Sequence, residues 1–138
     1  MEPGRTALLL IDIQNGACSP EKAREELQYA YFWDRMAGTV IPKMSSSVFV
    51  STNIAYVLRN LGIEYLIVMG ILTDQCVESA VRDACDEGFL LTLIDDACAT
   101  KTQERHDATL RAIKGYCRQR KTEQVLAELG GWKKQAAE

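Results

Sequence analysis

Histidine occurs once in this 138-residue chain, proline only three times, and no apolar run approaches the roughly 18 residues of a membrane span. A single imidazole leaves no pair of histidines to build a metal cage. Five cysteines, Cys18, Cys76, Cys85, Cys98 and Cys117, make an odd number with no CxxC pair and no zinc-type spacing. The sequence therefore predicts free thiols, a reducing compartment with the cytoplasm as default, no bound metal and no cofactor. The basic run Arg111 to Lys121 is interrupted by Tyr116 and Cys117 and reads as a solvated helix face, with an anion-binding patch as the alternative; the formal net charge of -3 argues against nucleic acid as the main partner. "ALLLIDI" is too short for the apolar part of a signal peptide and carries Asp12 within it.

What is present is the composition of a globular domain, 47% hydrophobic and 25% charged. One domain over 1–129 is expected, with "GGWKKQAAE" (130–138) as a C-terminal tail. Ala7 to Ile13, Tyr65 to Ile71 and Leu90 to Ile94 are near-continuous apolar runs stopped by Gly or Asp, the pattern of strands buried on both faces. Between them lie helix patterns. Ile54, Val57, Leu58 and Leu61 share one face, with Ser51 or Thr52 as N-cap and Gly62 beyond the end. Val77, Ala80, Val81, Ala84 and Cys85 share another from Thr73 to Gly88. Further helices are expected from about Glu104 to Gln119 and from about Thr122 to Leu129, and "SPEKAREELQYAYFWDRMAG" (19–38) is read as partly helical. The alternation predicts an α/β fold, a three-layer α/β/α sandwich with a mostly parallel sheet, shortened by one or two elements. Such sheets bind ligands at the carboxyl ends of their strands, where Asp12, Gly70 to Thr73, and Asp95 with Asp96 fall.

The chemical question is Cys76, which follows a strand directly and falls on the first turn of the next helix. With Thr73 as cap, leading amide groups would stabilise a thiolate and lower the thiol's pKa, or hold a developing oxyanion. The same placement also suits a small inert residue. A thiol nucleophile needs a base. Asp12 is the candidate, because its strand should lie beside the one leading to Cys76; a turn-forming aspartate is the alternative. His106 opens an amphipathic helix and reads as a surface or capping residue. Cys85 and Cys98 read as packing residues, as does the aromatic cluster Tyr31, Phe32 and Trp33.

"ALLLIDIQN", "PKMSSSVFVSTNIAYVLRNLGI", "LIVMGILTDQCVESAVRDACDEGF" and "LIDDACAT" together resemble the isochorismatase-like cysteine hydrolases, from Arg5 to about Gln119. The resemblance implies the Rossmann-like fold of that family and a catalytic triad of Asp12, Lys43 and Cys76. It also implies a cis peptide between Ile71 and Leu72, and an oxyanion hole from the N–H groups of Leu72 and Cys76. Gln14, Phe49 and Thr73 are the implied substrate-binding residues. The substrate would be a small amide or ureide, opened through a thioester, and the assembly a homo-oligomer.

Three departures accompany the likeness. Relatives are longer, the shortfall falling between Met36 and Ser45. Lys43 has two readings, the catalytic lysine or a junction residue that imitates it. The Asp-x-His-x-His type of metal site is absent. An alternative function follows from the first two, a shortened, catalytically impaired relative that acts by association with partner subunits.

Overall fold

The computed structural model describes residues 1–12 and 41–135. Gln14, Cys18, the helical reading of 19–38 and the Tyr31–Trp33 cluster lie outside the described residues. Four strands, β1 (Thr6–Ile11), β2 (Tyr65–Ile71), β3 (Leu90–Ala99) and β4 (Arg118–Arg120), form one parallel sheet in the order β1-β2-β3-β4. Four α-helices are described: α1 (Ile54–Asn60), α2 (Glu78–Asp86), α3 (Gln103–Ala112) and α4 (Thr122–Gln135).

Successive strand residues point to opposite faces, so a strand apolar at every position must be covered on both. Leu66 and Val68 of β2 pack with Val48, Ile54 and Leu58 at α1, Val81 and Ala84 of α2, and Leu93 of β3. Ile67 of β2 and Ile94 of β3 turn the other way, onto Val125 and Leu129 of α4. Leu66, Val68 and Leu93 are fully buried. Each contributes roughly 1.5–3 kcal/mol relative to an exposed position. Three layers result, as the alternation predicts.

Several elements differ from expectation. The helix expected from Thr73 opens instead as a π-helical turn, Thr73–Val77, with α2 beginning at Glu78. The helix expected to reach Gln119 stops at Ala112, and Arg118–Arg120 forms β4 against Thr92, Leu93 and Ile94. Three polar residues on a sheet edge carry no apolar alternation, so β4 has no pattern to find. It is held by tertiary bonds: Arg118 donates to the Thr92 hydroxyl at 3.2 Å and pairs with Glu128 of α4 at 2.7 Å. Helix α4 runs through Gly130 and Gly131 to Gln135, beyond the Leu129 expected. Asp95 and Asp96 lie inside the longer β3 and not at its end. Asp96 accepts from the Thr122 amide and hydroxyl, both at 2.8 Å, which fastens the start of α4.

Candidate active site

Strand β1 ends at the almost fully buried Ile11, and the next residue, Asp12, turns with φ 53°. That left-handed conformation is uncommon outside glycine, and Asp tolerates it better than most residues. Beside it, Gly70 of β2 has φ 134°, and a Cβ there would stand 2.2 Å from the Ile11 carbonyl oxygen. Only glycine permits this approach of backbones, and it brings the turn after β1 against the turn after β2. The Ile71–Leu72 peptide that follows is cis. The π-helical turn then presents Cys76, with the Gln75 and Val77 amides both bonded to the Leu72 carbonyl at 3.1 and 3.2 Å.

Lys43 arrives from a third segment. Its ammonium lies 2.8 Å from Asp12 Oδ2 and donates to Cys76 Sγ at 3.5 Å and to the Ser45 carbonyl at 3.1 Å. The Lys43 and Asp12 side chains are 14% and 18% exposed, so the pair is screened far less than a surface one and still open to a ligand. Three residues separated by 31 and 33 positions thus share one ion cluster at the carboxyl ends of β1 and β2. Both readings of Lys43 from spacing alone meet the same fact: its charge touches the aspartate and the sulfur.

The electrostatics differ from the sequence expectation at one point. The Cys76 thiol is pushed above the ordinary thiol range, first by burial and then by the Asp12 carboxylate that reaches it, against an opposing pull from the Lys43 ammonium. The lowering expected from a helix start is overturned because burial, and after it the Asp12 carboxylate, outweigh what favours the thiolate. Lys43 loses some preference for its charge through burial, but its contacts with Asp12 and Cys76 outweigh this and raise it. It stays an ammonium. The arrangement is a protonated thiol with an acceptor and a cation already in contact, suited to moving a proton as the sulfur attacks.

The remaining implied residues are dispersed. Thr73 is fully buried, and its hydroxyl shares a 2.9 Å hydrogen bond with His106 Nδ1. It is committed to the protein, and His106 is no simple surface residue. Phe49 packs its ring on Phe89 at 5.9 Å, and Phe89 precedes the first residue of β3, toward the other end of the sheet. The geometry makes Phe49 a packing residue. A cleft of about 570 Å³ also opens at that opposite end, beside Tyr65, Leu90 and Arg118, away from the cluster. Among the described residues no three His, Cys, Asp or Glu side chains converge as a metal cage.

Sequence reasoning missed Asp74, Thr100, Arg105 and His106. Asp74 accepts from the Thr100 hydroxyl and pairs with Arg105 at 2.6 Å. Those contacts, Thr100 first, hold its carboxyl below the ordinary range. Thr102 caps α3 by accepting from the Arg105 amide, so Arg105 and His106 fall in the first turn. A capping Thr just after a strand end was the available signal, since it aims the next turn at the carboxyl end of the sheet.

Comparison with known proteins adds a second line. The isochorismatase domain model matches residues 32–124. The chain is similar to nicotinamidase 3 of Arabidopsis thaliana, 35% identical over 71 residues, covering 51% of this chain and 36% of that protein. It is similar to the ureidoacrylate amidohydrolase RutB of Agrobacterium fabrum, 41% identical over 58 residues, covering 42% of this chain and 25% of that one. The matched stretch therefore spans well under half the length of these curated relatives. A crystal structure of an isochorismatase-family protein from Chromobacterium violaceum superposes with a TM-score of 0.76 at 26% identity, over 95% of this chain and 96% of that one.

Proposed function

The chain belongs to the isochorismatase family, and on that premise we propose that it is a cysteine-dependent hydrolase of a small amide or a ureido/carbamoyl compound. The observation that carries this reading is the Lys43 ammonium in contact with both Asp12 and Cys76. In the proposed cycle Asp12 takes the Cys76 proton as the sulfur bonds to the substrate carbonyl carbon. The resulting oxyanion is received by the N–H groups of Leu72 and Cys76. Collapse breaks the C–N bond, and Asp12 returns its proton to the departing nitrogen, which leaves as ammonia or an amine. Asp12 then deprotonates water, which attacks the thioester; the C–S bond breaks, acid is released and the thiol is restored. Lys43 holds Asp12 in place and its charge favours the forming thiolate.

The amide and ureide choice is supported by the similarity to a nicotinamidase and a ureidoacrylate amidohydrolase. A cytoplasmic homo-oligomer completes the proposal. It is supported by free thiols at Cys76, Cys85, Cys98 and Cys117 and by the exposed apolar residues Met44, Val50, Tyr56 and Leu61. Among the described residues no helix is long and apolar enough to cross a membrane. The test is a panel of primary amides and N-carbamoyl compounds assayed for ammonia release. Parent protein should turn over at least one, and Cys76→Ala should lose on the order of 10⁴-fold in kcat while keeping its fold. Undiminished turnover in Cys76→Ala would sink the reading.

A further inference from the structure

The nucleophile turn is gripped from two sides, and the proposed chemistry uses only one of them. Asp12 and Lys43 meet Cys76 on the strand side. On the other side the two residues that open the same turn, Thr73 and Asp74, bind the first turn of α3 and the loop before it. Thr73 is fully buried with His106 Nδ1 at 2.9 Å. Asp74, its side chain 9% exposed, pairs with Arg105 at 2.6 Å and accepts from Thr100. A buried hydroxyl and a nearly buried carboxylate without partners would each be costly, so these bonds constrain the backbone that carries them. Nothing else among the described residues ties the side chains at the start of the turn.

We propose that α3 acts as a tether, with His106 and Arg105 as positioning residues that hold the Thr73–Val77 turn so that the Cys76 sulfur stays enclosed between Asp12 and Lys43. This rests on the reading of Cys76 as the nucleophile. Neither His106 nor Arg105 touches the sulfur; each acts through the residue it binds. The only histidine of the chain thereby has a role in which the position of one ring nitrogen matters, and a side chain able to place a polar atom there can replace it. Asn does so, because its amide overlays the Nδ1 side of the imidazole; Phe fills the space without the bond.

The consequence is read on the thiol itself, with no substrate needed. Released from the tether, Cys76 becomes more exposed and moves away from the Asp12 carboxylate. The pH midpoint of its alkylation then falls toward that of an ordinary thiol. Site-resolved labelling of the full chain by iodoacetamide, followed by peptide mass spectrometry across pH, measures this directly. His106→Phe and Thr73→Val should each lower the Cys76 midpoint and speed labelling at neutral pH by roughly five- to tenfold, the size of one net hydrogen bond. His106→Asn should stay near the parent. Arg105→Met should act in the same direction as His106→Phe. Thr73→Val conserves shape, so it carries the test even where the larger substitution unfolds the protein. An unmoved midpoint in both Thr73→Val and His106→Phe, or an Asn variant no better than Phe, overturns the tether. Lys43→Met separates this from the underlying reading. If it leaves the midpoint unmoved, the ion cluster itself is not formed; if it moves the midpoint while the α3 variants do not, only the tether fails.

Discussion

Lys43 and Asp12 act on the same sulfur with opposite sign, and this makes the cluster testable residue by residue. Asp12 raises the Cys76 thiol and Lys43 lowers it. Asp12→Asn removes the raising contact, so Cys76 should label faster at a fixed pH, while the proposed mechanism has the variant lose turnover. Lys43→Met removes the lowering contact, so labelling should slow and the midpoint rise. Iodoacetamide rates for the two variants across pH check both directions; shifts of the same sign would contradict the geometry. The residue types were legible in the chain, because acid, cation and thiol chemistry is a property of side chains; that Lys43 contacts both Asp12 and Cys76 was left open by its two readings. The direction of the thiol's shift was not. It depends on how deeply the sulfur is enclosed and how near the carboxylate lies, and neither is a local property.

At the scale of elements, the site exists because two strands end against each other. Gly70 packs its α-carbon on the Ile11 backbone, and its φ of 134° is a conformation that a side chain resists. Gly70→Ala should destabilise the fold by roughly 3 kcal/mol or more, since both the clash and the dihedral oppose it. Gly62 provides the control. It also has a positive φ, 70°, but a Cβ there meets nothing within 4 Å. Gly62→Ala should cost only about 1 kcal/mol. Urea unfolding of the two variants makes the comparison, and equal losses would remove the close approach from the account. The chain shows a glycine at each position with no hint of this difference. Near-continuous apolar runs located β1, β2 and β3, and apolar residues at helical spacing located the helical faces, because each of these is buried. Neither pattern could locate β4, which carries no apolar run, nor the π-helical start at Thr73, whose first two side chains meet Thr100, Arg105 and His106.

For the molecule as a whole, the partly buried thiols Cys98 and Cys117 set a limit on alkaline stability. Burial pushes both Cys98 and Cys117 up to about 11 from an ordinary value of 9.0. Between those values the unfolded chain releases thiol protons that the folded one retains. This contribution to stability is therefore complete below pH 9 and is lost as pH rises toward 11, by no more than about 1.4 kcal/mol per pH unit for each thiol. Urea midpoints in reducing buffer should hold level from pH 7 to 8.5 and fall from 9 to 11. Cys98→Ala should fall less steeply over that interval. A parent midpoint unchanged through pH 10.5 would show these sulfurs to be reachable by solvent.

The amino-acid sequence by itself determined the class of fold and the kind of chemistry. Near-continuous apolar runs alternating with apolar stripes of period 3.6 are buried together as a sheet between helices, and a thiol, a carboxylate and an ammonium carry their reactivity wherever they stand. Tertiary structure alone decided which of those groups meet. Asp12, Lys43 and Cys76 come from three separate segments, and Thr73 and Asp74 find His106 and Arg105 some thirty residues away. Distance, burial and sign of charge at the sulfur are set by that convergence, because Coulomb interaction and desolvation depend on separation in space and not along the chain.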